Sequence, residues 1–322
     1  MNAAGCSMWE VEAMVGRFAP TPSGRMHAGN VFAALMAWLG VRSAGGRLVL
    51  RIEDLDPRAQ KPEATQLLLD DLRWLGLDWD EGPVRQSERG ELYAQALAQL
   101  EEQGLTYPCF CTRAELHATT APHASDGTVL YAGTCRNLSA GEVARRRARR
   151  QPATRLRVPR EEDPSGTIEF DDAVYGPQQE VLARSCGDFL VRRSDGVFAY
   201  QLAVVVDDAL MGVSQVVRGH DLLGSSARQI YLQRLLGYRM PTYAHVPLLV
   251  APDGRRLSKR DRDLDLGAMR EAGMTARQVI GSLAAMAGLA EKGEELTPDD
   301  LVGRFSWKSI ARVAAAGEVV AV

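Results

Sequence analysis

Residues 17–30 read Arg-Phe-Ala-Pro-Thr-Pro-Ser-Gly-Arg-Met-His-Ala-Gly-Asn, and this stretch decides the fold expected for the chain. Pro20 and Pro22 fix φ and remove two backbone donors, while Gly24 and Gly29 let the main chain pass close to a ligand. The apolar run that follows predicts a buried helix. A strand end, a glycine-bearing loop and a helix start together accept a phosphate, because free N–H groups and the helix dipole point at the anion. The alternative is an ordinary loop, since prolines and glycines are common before helices.

The composition is that of a globular protein. The 322 residues carry a formal net charge of −3, and 46% of them are hydrophobic. A chain of this length can bury a substantial core. The net charge argues against a protein that is basic throughout, so a nucleic-acid partner would need a local positive patch. No apolar stretch approaches the roughly 20 residues of a membrane span, and the N-terminus lacks a signal-peptide pattern, so we expect a cytoplasmic protein with no membrane partner.

The order of apolar runs predicts an α/β fold built on a parallel sheet. Buried strands are expected at 47–52, 198–208, 213–217 and 245–250, with helices between them. The segment 166–172 alternates like a short strand at a surface. The chain is therefore divided into an N-terminal tail (1–14), the first half of a nucleotide-binding catalytic domain (15–106), an inserted subdomain (107–187), the second half of the catalytic domain (188–262) and a short helical C-terminal region (263–322).

Two motifs far apart in the chain give a specific resemblance. His27 stands two residues before Gly29, so the opening stretch contains Pro-x-Pro-x-Gly-x-x-His-x-Gly-Asn, and residues 256–260 read Arg-Leu-Ser-Lys-Arg. The first motif resembles the HIGH motif of class I aminoacyl-tRNA synthetases, and the second is similar to their KMSKS loop. The lead-in Arg-Phe-Ala-Pro is similar to that of the glutamyl enzymes. The likeness extends from about Gly16 to Asp261, with the motifs in the expected order.

This resemblance implies a Rossmann-like catalytic domain that joins glutamate to the α-phosphate of ATP, with Mg²⁺ accompanying the nucleotide. Such a step needs no enzyme nucleophile, so the protein has to position two anions and stabilise charge on the phosphates. The resemblance assigns catalysis to His27 and Lys259, and ATP binding to these two residues with Gly29, Asn30 and Ser258. Around the amino acid it places Arg17, Ala19, Thr21, Glu53, Tyr200 and Arg218.

The chemistry of the side chains supports part of that assignment. A predicted strand ends in Glu53, and open α/β sheets bind ligands at the carboxyl edge of their strands. A carboxylate there can hold a substrate ammonium, whereas the following Asp54 and Asp56 can equally start the next turn. The side chain of a glutamate substrate needs a cationic partner, and a planar guanidinium binds a carboxylate with two hydrogen bonds. Arg17 and Arg218 both lie at expected strand ends.

Three of the five cysteines, Cys109, Cys111 and Cys135, fall within one short region. An odd and clustered set argues against a disulfide framework. Cys-x-Cys is a weaker metal signal than Cys-x-x-Cys, because alternate residues of an extended segment point to opposite faces. The cluster is therefore either a metal site or a group of reduced thiols without metal.

The residues alone leave the fourth ligand of such a metal open. His117, His123 and Tyr131 all lie between the cysteines, and histidine is the ordinary choice. The short glutamyl-queuosine branch of the synthetases carries Cys-x-Cys followed by Tyr-x-x-x-Cys, and residues 131–135 match that spacing. The resemblance thus implies one structural Zn²⁺ per chain, held by Cys109, Cys111, Tyr131 and Cys135.

The most basic run of the sequence lies at 145–150, and Arg155, Arg157 and Arg160 follow it. Arginines pair with RNA phosphates and give affinity without reading sequence. A solvated helix face is the alternative, because Glu142 and the alanine spacing suit an exposed helix.

The resemblance also bears on the acceptor of glutamate. Full glutamyl-tRNA synthetases continue into a large helical anticodon-binding domain, and residues 263–322 are too short for one. The glutamyl-queuosine enzymes transfer glutamate to queuosine in the anticodon loop of aspartate tRNA. The expected partners are therefore ATP, L-glutamate and aspartate tRNA bearing queuosine, with the chain as a monomer. Two alternatives are a compact glutamyl-tRNA synthetase that charges the tRNA 3′ end and a catalytically idle tRNA-binding paralogue.

Overall fold

A computed structural model describes residues 13–22, 24–112, 114–115, 130–250, 265–317 and 319–320. In chain order the strands are β1 (Val15–Phe18), β2 (Arg47–Ile52), β3 (Glu81–Arg85), β4 (Thr106–Cys109), β5 (Ala153–Leu156), β6 (Thr167–Asp172), β7 (Gly176–Val181), β8 (Leu190–Arg192), β9 (Gln215–Gly219), β10 (Thr242–Val246), β11 (Leu249–Val250) and β12 (Val319–Val320). The α-helices are α1 (Ala28–Arg42), α2 (Pro62–Leu75), α3 (Gly90–Glu102), α4 (Ala140–Arg147), α5 (Leu182–Ser185), α6 (Tyr200–Leu210), α7 (Ser226–Leu236), α8 (Leu266–Glu271), α9 (Ala276–Met286), α10 (Pro298–Val302) and α11 (Trp307–Ala315).

A mostly parallel sheet of seven strands lies at the centre, in the order β3-β2-β1-β9-β10-β6-β7. Only the β6–β7 hairpin pairs antiparallel within it. One face is covered by α1, α2 and the C-terminal helices, and the other by α3, α6 and α7, so each face has its own apolar core. Coverage on both faces explains why the central strands are mostly apolar rather than strictly alternating. The predicted α/β class with a parallel sheet is confirmed.

The order in which the chain adds strands to the sheet reverses between β1 and β9. Strand β2 lies beyond β1 on one side, and β10 lies beyond β9 on the other. Open α/β sheets bind ligands at such a switch point, outside the carboxyl ends of the strands. Arg17 of β1, Glu53 just after β2 and Arg218 of β9 all reach this edge.

Helix boundaries follow from local sequence signals. Helix α2 has Pro62 at its first position and ends at Gly76, whose φ of +76° is the left-handed conformation that glycine adopts readily. Helix α4 starts with a reciprocal capping box between Ser139 and Glu142.

The prediction of a buried strand at 198–208 is wrong, because Tyr200–Leu210 forms helix α6. A short apolar run bounded by polar residues does not distinguish a strand from a helix that is buried along most of its length. Helix α6 packs between α3 and α7, so tertiary packing selects the helix.

The segment 107–187 contributes to two sheets. Strands β4 and β5 form a separate antiparallel sheet with β8. The strand predicted at 166–172 is confirmed as β6, but it joins the central sheet beside β10 and is not confined to the surface. Whether 107–187 is a domain of its own stays a prediction. No helix of the described ranges is both long and apolar enough to cross a membrane.

Candidate active site

A cavity of about 470 Å³ opens at the carboxyl ends of β1, β2 and β9. Lys259 and Ser258, which were expected to complete the ATP site, lie outside the described residues. Gly29 is not among the described residues that line the cavity. The sequence-predicted residues that do line it are Arg17, Ala19, Thr21, His27, Asn30, Glu53, Tyr200 and Arg218.

His27 is the N-cap of α1, at the mouth of the cavity. Its Nδ1 accepts a hydrogen bond from the backbone N–H of Asn30, 3.4 Å away. A Cβ at Gly29 would lie 3.2 Å from the imidazole ring, so the absent side chain leaves room for His27. Because α1 is 15 residues long, its first N–H groups and its dipole favour an anion at this end.

The loop before His27 is held by a buried carboxylate. Asp71 of α2 accepts hydrogen bonds from Arg25 Nη1 at 2.8 Å and from the Met26 backbone N–H at 3.4 Å. Arg270 of α8 lies 3.6 Å from the same carboxylate. Asp71 therefore links the opening motif to the helix that begins just after residues 251–264.

Arg17 lines the cavity, and Arg51 lies behind it in the same ionic network. Arg17 is buried, donates from Nη1 to the carbonyl oxygen of Val217 at 2.8 Å, and has its Nε 3.5 Å from Asp208 Oδ1. Arg51 lies deeper, where its Nη1 donates to Asp208 Oδ1 at 2.6 Å and its Nη2 to Glu53 Oε1 at 3.3 Å. Burial lowers the pKa of Arg17. Burial acts in the same direction on Arg51, but the surrounding carboxylates outweigh it and raise the pKa of Arg51.

Glu53 is the acidic group that faces the cavity. Burial raises the pKa of Glu53, and the positive charges of Arg51 and Arg17 oppose that shift. The hydrogen bond from Arg51 fixes one carboxylate oxygen, so the orientation of Glu53 depends on a charge behind it.

Arg218 lies on the other side of the cavity, beside Tyr200. Its Nη1 donates to Gln229 Oε1 at 2.7 Å and is 3.5 Å from the Tyr200 hydroxyl. Burial raises the pKa of Tyr200, so its phenol is neutral. The guanidinium groups of Arg17 and Arg218 and the carboxylate of Glu53 thus face a single cavity bordered by a helix N-terminus, and Arg25 also lines it. This set of charges suits an amino acid with a second carboxylate, next to a phosphate.

The three cysteines meet in a cluster, with their sulfur atoms all within 4.8 Å of one another. Cys111 Sγ and Cys135 Sγ are 3.7 Å apart. The Tyr131 hydroxyl lies 3.6 Å from Cys109 Sγ and 3.7 Å from Cys111 Sγ. The other two candidates for a fourth ligand, His117 and His123, lie outside the described residues.

The distance between Cys111 Sγ and Cys135 Sγ and the two distances to the Tyr131 hydroxyl fit a tetrahedral zinc ion. With Zn–S near 2.3 Å and Zn–O near 2.0 Å, a tetrahedron places sulfur atoms about 3.8 Å apart and sulfur about 3.5 Å from oxygen. Arg155 Nε donates to Cys109 Sγ at 3.3 Å, as suits a thiolate. Burial raises the pKa of Cys111 to about 12, so a nearby cation would be needed to keep that sulfur deprotonated.

Comparison with known proteins gives the family. The family model for the catalytic domain of class I tRNA synthetases (E and Q) matches residues 13–311. A protein of Nitratidesulfovibrio vulgaris named glutamyl-Q tRNA(Asp) synthetase is 49% identical over 90% of this chain and 91% of its own length. Another of that name, from Symbiobacterium thermophilum, is also 49% identical, over 93% of this chain and 94% of its own length. The chain belongs to the glutamyl-Q tRNA(Asp) synthetase family.

A solved structure agrees with this family assignment. The glutamate tRNA ligase of Elizabethkingia meningosepticum, crystallised in complex with its amino acid, matches with a TM-score of 0.80 and 26% identity. The match covers 97% of this chain and 67% of that one. This chain therefore has the class I α/β synthetase fold, and it is a ligase-type enzyme.

Sequence reasoning missed several buried polar residues of this family member. Arg51 and His245 interrupt apolar strands, and Asp207 and Asp208 close an apolar run. A buried charge needs a partner, so each of these interruptions is a signal that could have been used. Asp172 lies in a segment that was predicted only as a short surface strand, and it is buried against His245.

Proposed function

We propose that this enzyme activates glutamate with ATP and transfers the glutamyl group to queuosine in the anticodon loop of aspartate tRNA. The observation that carries the proposal is the cavity, where Arg17, Glu53 and Arg218 meet beside the start of α1. The identity of the acceptor is supported by the names of the relatives.

The charges of the cavity favour one orientation of a bound glutamate. The side-chain carboxylate would lie against the guanidinium groups of Arg218 and Arg17, and the α-ammonium against Glu53. Tyr200 would add a neutral hydroxyl, and Ala19 and Thr21 would border the amino acid. The α-carboxylate is then left to react with the nucleotide.

The nucleotide would lie with its phosphates at the start of α1. His27 and the N–H groups near Asn30 would hold them from one side. Ser258 and Lys259 would approach from the other side, and Mg²⁺ would supply further charge to the phosphates when bound. An oxygen of the α-carboxylate attacks the α-phosphorus, and pyrophosphate leaves. The protein contributes position and positive charge to this step.

Glutamate-dependent exchange of labelled pyrophosphate into ATP tests the activation step. We expect exchange with glutamate and far less with glutamine, whose side chain carries no charge for the guanidinium groups. A Glu53→Gln variant should raise the KM for glutamate, and Glu91→Gln, at an exposed position of α3, is the matched control. An absence of pyrophosphate exchange, or equal exchange with glutamate and glutamine, would contradict the proposal.

The thiol cluster would hold one Zn²⁺ through Cys109, Cys111, Tyr131 and Cys135. The ion would be structural, since four protein ligands leave no open position for a substrate. When bound, the ion would keep the thiols deprotonated and would connect the segments of the chain before and after residues 116–129.

The basic helix α4 is our proposed contact for tRNA phosphates. Its arginines are exposed, and Arg150, just after the helix, donates to the carbonyl oxygen of Phe110 at 3.0 Å, which fixes the run next to the thiol cluster. The test is the salt dependence of tRNA binding. A variant carrying Arg145→Gln and Arg147→Gln should make the slope of log affinity against log salt concentration less steep by roughly 1–2. Arg234→Gln, at an exposed position of α7, should leave the slope unchanged. Equal slopes in all three proteins would remove α4 from the interface.

A further inference from the structure

A buried row of hydrogen bonds lies behind Arg218. His245 of β10 is the register partner of Arg218 in the neighbouring strand, and its Nε2 accepts from Arg218 Nε at 3.0 Å. The other ring nitrogen, Nδ1, is 2.6 Å from Asp172 Oδ2. His245 is 0% exposed and Asp172 only 3%. The row thus starts at the end of β6, crosses β10 and reaches the cavity through β9.

The partners of the ring determine its tautomer. An arginine side chain can only donate hydrogen bonds, so Nε2 of His245 must carry a lone pair. The proton then sits on Nδ1, where Asp172 accepts it. Ser226 Oγ accepts from Arg218 Nη2 at 2.8 Å and lies 3.3 Å from His245 Nε2, which is consistent with the same tautomer.

Asp172 is itself held by the turn between β6 and β7. Its Oδ1 accepts from the backbone N–H groups of Val174 and Tyr175, each at 3.0 Å, and its Oδ2 from the N–H of His245 at 3.1 Å. Both oxygens are therefore fixed by backbone groups. The neutral ring is stable in this setting, because burial, with the charge of Arg218, lowers the pKa of His245 to about 4.

We propose that His245 and Asp172 are positioning residues, which hold the guanidinium of Arg218 in the orientation that binds the side-chain carboxylate of glutamate. This inference rests on the proposed function. No residue of β6 or β7 is among the described residues that line the cavity. The hairpin nevertheless contributes to glutamate affinity. Its backbone holds the carboxylate of Asp172, Asp172 holds the imidazole ring of His245, and the ring holds the guanidinium of Arg218.

The test compares three variants in the full chain. His245→Leu removes the acceptor for Arg218 Nε. His245→Gln keeps an amide oxygen that can take the place of Nε2. Asp172→Asn keeps the shape of the carboxylate but can donate to Nδ1, which would move the ring proton to Nε2 and against Arg218.

The measurements are the KM for glutamate and for ATP in pyrophosphate exchange, together with glutamate binding by calorimetry without ATP. We expect His245→Leu and Asp172→Asn to raise the KM and Kd for glutamate about tenfold or more, the value of one charge-assisted hydrogen bond, and the KM for ATP by less than about twofold. His245→Gln should recover most of the loss. A merely structural role would change both KM values together and would show no rescue.

The inference is overturned if the folded variants keep the wild-type affinity for glutamate, if both KM values rise equally, or if His245→Gln is as impaired as His245→Leu. Circular dichroism establishes which variants fold, and if His245→Leu does not, Asp172→Asn and His245→Gln decide by the same criteria. A wild-type protein with neither exchange nor glutamate binding would instead contradict the proposed function. The two failures are therefore distinguishable.

Discussion

Arg51 and Asp208 form an ion pair inside the protein, with 2.6 Å between Arg51 Nη1 and Asp208 Oδ1 and side chains that are 0% and 7% exposed. Arg51 belongs to β2 and Asp208 to α6, so the pair joins two segments that are 157 residues apart in the sequence. The same Asp208 oxygen is 3.5 Å from Arg17 Nε, and Arg51 also holds Glu53. Arg17, Arg51, Glu53 and Asp208 thus form one connected ionic network at the cavity.

Replacing Arg51 with Met should destabilise the protein by about 3–5 kcal/mol, because the buried carboxylates of Asp207 and Asp208 and the partly buried Glu53 lose their compensating charge. Urea unfolding followed by circular dichroism measures the change. Arg58→Met is the matched control, since Arg58 pairs with Asp56 at the surface and its loss should change little. Equal losses of unfolding free energy from the two substitutions would show that the buried network stabilises the protein no more than the surface pair does.

The thiol cluster should bind about one zinc per chain, as measured by elemental analysis of the purified protein. Cys109→Ser should lower the zinc content, because it removes one of the four ligands. Cys186→Ser changes a buried cysteine outside the cluster and should leave the zinc content as it is. A wild-type protein that is folded and free of metal would rule the site out.

Lys259→Ala should slow glutamate activation far more than it weakens glutamate binding. The contact of Lys259 would strengthen as the phosphates reorganise, so its loss falls on the transition state. Pyrophosphate exchange and calorimetric glutamate binding measure the two quantities, with Lys308→Ala, at an exposed position of α11, as the control. Equal losses in rate and binding would mean that Lys259 has a different place in the site.

Stability should fall as the pH drops from about 6.5 to about 4, in part through His245. Burial, opposed by Asp172 and assisted by Arg218 and His220, lowers the pKa of His245 from its usual 6.5 to about 4. The unfolded chain therefore binds a proton in this window while the folded protein does not, and up to about 3 kcal/mol is lost. His245→Gln should show a shallower fall in urea unfolding between these pH values. A slope as steep as that of the wild type would contradict the assignment.

The sequence predicted most of the framework because its signals are local. The proline and glycine pattern of residues 17–30 identifies a strand, a loop and a helix start, and the glycine after α2 ends that helix. That Arg17, Glu53 and Arg218 line one cavity was predictable for the same reason, since all three stand at strand ends. Resemblance then assigned roles that these residue types allow.

The parts that could not be predicted depend on tertiary packing. Residues 200–210 are apolar enough for either a strand or a helix, and only the space between α3 and α7 decides. The Asp172–His245 contact joins residues 73 positions apart, across strands whose neighbours no local pattern specifies. Arg51 was visible as a charge within an apolar strand, but its partners were not.

The acceptor of the glutamyl group is tested most directly by incubating the protein with labelled glutamate, ATP and tRNA from cells with or without queuosine. Our account predicts label only on tRNA that contains queuosine, and it places that label in the anticodon loop of aspartate tRNA. Labelling that is indifferent to queuosine, or label on the 3′-terminal adenosine, would contradict it.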